Sequence, residues 1–334
     1  MAFKIAINGF GRIGRLTFRE LFKAENIEIV AINDLGDIKA LAYLLKYDSA
    51  HGIWNPDKIT FNEEKKIIIV DGQEIKVCKE TDPTALPWQE LKIDLVIEST
   101  GRFTSKDQAQ AHIKAGAKKV IISAPAKGNL KTIVYNVNHE TLNKDDVIIS
   151  AASCTTNCLA PVVDVLENKY GIEKGLMTTI HAVTNDQRLL DLEHNDFRRG
   201  RSALVNLIPA ATGAAAAIGL VIPKVKGKLD GLAIRVPVIT GSLIDLTVNL
   251  NKTTTVEDIN KQMKENKNES FGYNEDEIVS TDIIGSSYGS IFDSTLTKVL
   301  DVNGKQTVKV FAWYDNEMSY VSQLVRTAQY FITL

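Results

Sequence analysis

Five consecutive residues, Ser153-Cys154-Thr155-Thr156-Asn157, place a thiol between an apolar run and an apolar periodic segment. Val147-Ile148-Ile149-Ser150 reads as a short buried strand, and Leu159, Val162, Val163, Val165 and Leu166 recur with helical spacing. Ser153 is a favourable N-cap, so Cys154 falls in the first helical turn. Backbone N–H groups and the positive end of the helix dipole meet a side chain there, and both favour thiolate. Cys158, four residues on, reads as buried filler. The C-x3-C spacing, with Cys78 far away in a hairpin pattern, matches no zinc site. A thiol that does chemistry needs a proton acceptor, and the chain has five histidines. His51, His112 and His139 sit in polar or helical segments where a solvated histidine is the default, and His194 sits in a polar loop. His181 is near the end of an apolar strand pattern, Leu176 to Val183, from which a side chain can project into a cleft.

A second constellation, Gly9-Phe10-Gly11-Arg12-Ile13-Gly14, follows a buried strand pattern at Lys4 to Asn8 and opens a helix pattern. A second apolar strand, Ile27 to Asn33, leads to Asp34, twenty positions after Gly14. In this context Gly9 permits the tight turn, Gly11 lets a pyrophosphate approach the backbone, and Gly14 lets helix and strand pack closely. The helix N-terminus meets the phosphates, and Asp34 accepts from ribose hydroxyls. A 2′-phosphate beside that carboxylate is repelled, which favours NAD over NADP. A dinucleotide fold and an activated cysteine together point to aldehyde oxidation through a hemithioacetal and a thioester.

The elements that must hold these residues fall into two halves. Strand patterns alternate with helix patterns through about residue 150, including Leu95 to Glu98, a helix near Lys106 to Ala115, and Val120 to Ile122. That alternation predicts an α/β, Rossmann-type, doubly wound parallel sheet. The later strands, Leu229 to Val236, Leu243 to Leu250 and Val308 to Tyr314, have few helices between them and predict an α+β domain with a mostly antiparallel sheet. The expected division is residues 1–150 for the NAD-binding domain and 151–317 for the catalytic domain, with an amphipathic helix over 318–334 packing back on the first. Asp186 to about Ser202 is a long charged segment, which predicts a functional or interface loop. The 334 residues are 44% hydrophobic and 24% charged with net charge −2, the profile of a soluble globular protein without a nucleic-acid or membrane-surface footprint. Three cysteines offer no disulfide framework, so a reducing cytoplasm is the expected location.

The glycine loop with Asn8 and Arg15, the run Ser153 to Cys158, His181-Ala182-Val183-Thr184 and Trp313-Tyr314-Asp315-Asn316-Glu317 together resemble phosphorylating glyceraldehyde-3-phosphate dehydrogenase, in order along nearly the whole chain. The resemblance implies a glycolytic homotetramer that oxidises glyceraldehyde 3-phosphate with NAD and inorganic phosphate. It makes Cys154 the nucleophile and His181 its base, paired as thiolate and imidazolium. It assigns Arg12 and Ile13 to the pyrophosphate through their N–H groups, Asn316 to the nicotinamide amide, and Ser123 to a further cofactor contact. Thr184 and Arg235 resemble the pocket for the substrate's phosphate, and Ser153, Thr155, Thr212 and Gly213 the pocket for attacking phosphate. The sequence departs from the family at Thr81, where an arginine beside the adenine is usual, at Ala216, at Glu193, and at Met318-Ser319. Two other readings share these motifs: an erythrose-4-phosphate dehydrogenase, against which Thr184 and Thr212-Gly213-Ala214-Ala215 argue, and a non-catalytic NAD-binding relative, against which Cys154 and His181 argue.

Overall fold

Ile5, Ala6 and Ile7 have no exposed surface, because their strand, Phe3–Asn8, is covered on both faces. Such continuous apolar runs belong in a parallel sheet flanked by helices. The protein is described by a computed structural model covering residues 2–334. Phe3–Asn8 pairs in parallel with Ile27–Asn33 on one side and Leu95–Glu98 on the other. Lys119–Ile122 and Ile148–Ser150 extend the sheet in parallel beyond Leu95–Glu98, and Gln73–Cys78 extends it beyond Ile27–Asn33. An antiparallel pair, Ile67–Val70 and Ile59–Asn62, closes that edge and makes the eight-stranded sheet mixed. The turn joining Ile67–Val70 to Gln73–Cys78 has both Asp71 and Gly72 at positive φ (49° and 84°), the geometry a two-residue hairpin turn needs.

The crossover helix Arg12–Leu21 buries Leu16, Phe18 and Leu21, each worth about 1.5–3 kcal/mol of transfer free energy. The helix ends at Leu21, with Phe22 as its C-cap. Helix Lys106–Lys114 starts on Ser105, whose hydroxyl accepts from Gln108 N.

A second, seven-stranded sheet runs Ile208–Ala211, Leu229–Val236, Ile172–Ala182, Ser242–Leu250, Lys305–Tyr314, Ser290–Val302, Phe271–Asn274 in spatial order. Four of its six pairings are antiparallel, and Ile172–Ala182 with Leu229–Val236 is one of the two parallel ones. Helices Cys154–Tyr170 and Ala214–Val221 pack on one another. The chain divides into two compact units. One comprises residues 1–133, 139–152 and 324–334, and the other residues 134–138 and 153–323. The final helix, Met318–Phe331, contributes to both. No helix among the described residues is long and apolar enough to cross a membrane.

Two histidines depart from expectation. His112 has no exposed surface, and the His51 side chain is only 3% exposed, so neither is solvated. The segment after Val183 is charged as expected but is also studded with exposed apolar side chains, among them Leu189, Leu190, Phe197 and Val205.

Candidate active site

The second unit holds the thiol. The chain leaves strand Ile148–Ser150 through Ala152 at φ +61°, a left-handed conformation that costs an alanine about 1–2 kcal/mol. Ser153 then caps the helix in extended conformation, its Oγ accepting from Thr156 N at 3.1 Å, and Cys154 is the first helical residue. Cys154 is half-buried, whereas Cys158 is fully buried with its sulfur against Ser290 Oγ and the carbonyls of Ala312 and Trp313.

Cys154 Sγ lies 3.4 Å from His181 Nε2, so the structure joins the two residues that the sequence singles out. His181 stands near the end of Ile172–Ala182, and the parallel register sets Arg235 beside it. Arg235 Nη1 is 2.7 Å from His181 Nδ1 and 3.2 Å from Ala182 O, and Nδ1 is itself 2.7 Å from Ala182 O. Ala182 O can only accept and Arg235 Nη1 can only donate, so Nδ1 serves one of them at a time. In the tautomer with Nδ1–H on Ala182 O, the Nε2 lone pair faces the thiol, the arrangement a base requires. Tyr314 packs edge-on to the imidazole at 6.0 Å, and its hydroxyl bonds Thr155 Oγ1 at 2.9 Å and Thr179 Oγ1 at 2.7 Å. Those bonds tie the first turn of the cysteine helix to the histidine strand.

The electrostatics correct one expectation. Burial pushes the Cys154 thiol up, and the largest opposing influence is the charge of Arg235. Burial also drives His181 down, to about 3, and there Arg235 adds to the effect. The helix N-terminus alone therefore does not set a thiolate. What favours charge separation is the attraction between the two groups once both are ionised. At 3.4 Å it is worth about 5 kcal/mol for an effective dielectric constant near 20. Nε2 is the acceptor placed to take the proton from sulfur within the pair.

Around this pair lie donors suited to anions. Arg235 Nε and Gln187 Nε2 are buried without protein partners, while Gln187 Oε1 accepts from Thr184 N at 3.3 Å. Thr184, Gln187 and Arg235 thus carry the polar groups near His181. Sequence reasoning missed Gln187, because a lone glutamine in a charged loop carries no signal. It also missed Arg199, whose Nη2 donates to Ala211 O at 3.2 Å, next to Thr212, and whose charge acts on Arg235. Asp186 pairs with Arg199 and offsets part of that charge. Of the other expected pocket, Ser153 Oγ is occupied by Thr156, Thr155 Oγ1 by Tyr314, and Thr212 Oγ1 accepts from Ala214 N at 3.2 Å. An array of unengaged hydroxyls is not what the structure shows. Gly213, the N-cap of Ala214–Val221, has no side-chain cap, which leaves that helix start to backbone N–H groups. Asn316 is held by its Oδ1, which accepts from Thr240 Oγ1, Gly241 N and Ser242 Oγ at 3.0–3.2 Å, so Nδ2 is the end of the amide left to donate elsewhere.

The first unit holds the glycine loop, and its residues fit a dinucleotide. A Cβ on Gly9 (φ +94°) would sit 2.6 Å from Thr100 N, and one on Gly14 would sit 2.1 Å from Gly9 O. A Cβ on Gly11 would meet nothing within 4 Å, which is the open approach a pyrophosphate needs. No side chain caps the helix that begins at Arg12 and Ile13, and no acid lies in its first turn. Asp34 spends one bond per carboxylate oxygen on the backbone, accepting from Phe10 N at 2.7 Å and Gly36 N at 2.8 Å, and keeps lone pairs for hydroxyls. A cavity of about 260 Å³ is lined by Gly9, Gly11, Asp34, Thr81, Thr100 and Phe103 among others. The Arg12 guanidinium turns to Asp48 at 3.0 Å, and Ser123 lies at the end of Lys119–Ile122, its N–H on Glu98 O. Neither residue lines that cavity.

Comparison with known proteins agrees with both halves. Residues 3–106 match the family profile "Glyceraldehyde 3-phosphate dehydrogenase, NAD binding domain", and residues 153–316 match "Glyceraldehyde 3-phosphate dehydrogenase, C-terminal domain". The chain is 60% identical over 330 residues to a glyceraldehyde-3-phosphate dehydrogenase of Clostridium pasteurianum, and 59% identical to one of Clostridium acetobutylicum, with 98% of each chain covered. The chain belongs to the glyceraldehyde-3-phosphate dehydrogenase family. A further relative of the same description, from Mycoplasma pneumoniae, is 57% identical over 328 residues. Within this family the glycine loop and Asp34 belong to an NAD-binding domain, and Cys154 and His181 belong to the C-terminal one.

Proposed function

We propose that this member of the family oxidises D-glyceraldehyde 3-phosphate to 1,3-bisphosphoglycerate with NAD and inorganic phosphate, as a step of glycolysis. The observation that carries the reading is the 3.4 Å contact of Cys154 Sγ with His181 Nε2 beside a buried, partly unpartnered Arg235. The sulfur adds to the aldehyde carbon as its proton passes to Nε2, and Nε2 returns that proton to the carbonyl oxygen. In the oxidative step His181 takes the hydroxyl proton back, and a thioester on Cys154 is left. NAD, when bound, supplies the acceptor for the electron pair lost in that oxidation. Arg235 and Thr184 hold the substrate's phosphate; its negative charge offsets the arginine charge that suppresses protonation of His181. Attacking phosphate then displaces the thiolate from the acyl carbon. Ser153, Thr155, Thr212 and Gly213 receive it, with Arg199 as the cation. Asn316 orients the nicotinamide amide through Nδ2, and Arg12, Ile13 and Ser123 complete the cofactor contacts. The working division is the NAD-binding domain over 1–150, with the C-terminal helix, and the catalytic domain over 151–317.

The assay is NAD reduction followed at 340 nm, with glyceraldehyde 3-phosphate, with and without phosphate, and with NADP in parallel. The expected result is turnover that requires phosphate and NAD. Turnover indifferent to phosphate would remove the second anion pocket. Turnover with erythrose 4-phosphate alone would change the substrate.

The protein is further proposed to be a homotetramer in a reducing compartment such as the cytoplasm. Phe197 is 90% exposed, and Val205, Leu207 and Leu190 are each about two-thirds exposed or more, a density of apolar surface that marks an association face. The three cysteines are free. Phe197→Asp is expected to lower the sedimentation-derived mass below that of a tetramer. An unchanged mass would exclude that loop from the interface.

A further inference from the structure

Buried polar groups of the first unit that the chemistry does not use form one connected chain. His112 and Glu98 are 0% and 1% exposed, with His112 Nε2 3.0 Å from Glu98 Oε2. Trp88, also fully buried, donates its indole N–H to His112 Nδ1 at 3.0 Å. That bond makes Nδ1 the acceptor, so Nε2 carries the proton donated to the carboxylate. Glu98 Oε2 also accepts from Asn8 Nδ2 at 2.5 Å, and Oε1 accepts both Thr100 N at 2.8 Å and Thr100 Oγ1 at 2.5 Å. Asn8 Oδ1 accepts from Asn33 Nδ2 at 2.7 Å. Asn33 then clasps the backbone of Glu80 in both directions, accepting from its N–H at 2.8 Å and donating to its carbonyl at 2.9 Å.

The ends of this chain are the walls of the dinucleotide cavity. Asn8, Asn33, Glu80 and Thr100 line it; Glu98, His112 and Trp88 do not. Helix Lys106–Lys114 carries His112, strand Leu95–Glu98 carries Glu98, and Trp88 lies in the short helix Trp88–Leu91. Thr81, in the same cavity wall, has no charged group to hold an adenine. Arg102 also lines the cavity, and the spacing of the walls sets how closely any of these groups meets the adenine.

We propose that Glu98 and His112 are positioning residues for the adenosine end of NAD. They set the separation of the Glu80–Thr81 wall from the Thr100–Phe103 wall without touching the cofactor. Glu98 is the junction, because its two oxygens take four donors from three segments. His112, locked by Trp88, fixes which way that carboxylate turns. A buried donor left without its acceptor costs about 1–3 kcal/mol, so the carboxylate is held in one place.

The inference rests on the NAD reading, and the test separates the two. Glu98→Gln replaces one acceptor oxygen by an NH2 that confronts donors on either side. The expected result is a Kd for NAD, by fluorescence titration of the purified protein, raised about tenfold or more, or about 1.4 kcal/mol. The Kd for ADP-ribose should rise by the same factor. At saturating NAD, kcat should stay within about threefold, and the KM for glyceraldehyde 3-phosphate and the alkylation rate of Cys154 without NAD should be unchanged. Trp88→Phe keeps an aromatic six-membered ring and removes the indole N–H together with the five-membered ring that bears it. It should raise both cofactor constants about threefold or more, and it carries the test if Glu98→Gln does not fold. Cofactor constants within twofold of wild type in either folded variant would overturn the proposal. So would an aldehyde KM and Cys154 reactivity that change as much as NAD affinity, the mark of a general structural defect. Failure of the wild type to bind NAD would instead overturn the cofactor reading, and the proposal with it.

Discussion

Cys154→Ala is expected to reduce NAD turnover to background while the Kd for NAD stays within about twofold, since the glycine loop and Asp34 belong to the other unit. The loss should be at least about 10⁴-fold, because covalent addition has no substitute in an alanine site. Cys158, one helical turn away, cannot take over. It is fully buried, its sulfur is already engaged by Ser290 and two carbonyls, and burial pushes its thiol far above the ordinary range. Cys78 is 8% exposed in strand Gln73–Cys78, with its thiol also pushed up by burial. Alkylation with iodoacetamide should therefore label wild type once and the variant not at all on the same timescale. Rapid labelling of the variant, or retained turnover, would assign the nucleophile elsewhere.

How far these residues could be read from sequence depends on whether their partners are local. The Ser153 cap, the glycine loop and the continuous apolar run Ile5-Ala6-Ile7 are set within a few residues, and composition and spacing express them directly. Strand Ser290–Val302 was not legible in the same way. Its register with Lys305–Tyr314 shifts between Asp293 and Lys298, which breaks the period of two that marks a strand. His112 shows the same limit from the other side. Its helix sequence is polar, and nothing in Lys106–Lys114 announces Glu98 on one strand and Trp88 on a separate helix. Arg235 lies 54 positions from His181, and only the parallel pairing of two strands makes it the charge that acts on both catalytic candidates. Local patterns thus give the nucleophile and the cofactor loop, while the electrostatics of the thiol come from long-range register.

His181→Asn is expected to lower kcat by about 100-fold or more, the range for loss of a positioned base. The direction of its pH dependence follows from the same geometry. In the native chain His181 is held down to about 3, so at neutral pH the imidazole is neutral. In the tautomer with its proton on Nδ1 toward Ala182 O, Nε2 is able to accept from sulfur. Asparagine cannot accept that proton as a base, and burial keeps the Cys154 thiol above its usual value. The thiolate of the variant must then form by titration into solvent. Its rate should climb about tenfold per pH unit between pH 7 and 9, where the native rate is far flatter. The charge of Arg235 remains in the variant and still favours thiolate, so the residual activity should respond to Arg235→Leu. Native activity in His181→Asn, or a flat profile at reduced rate, would mean that another group removes the thiol proton. The 3.4 Å contact would then be a packing contact rather than the path of proton transfer.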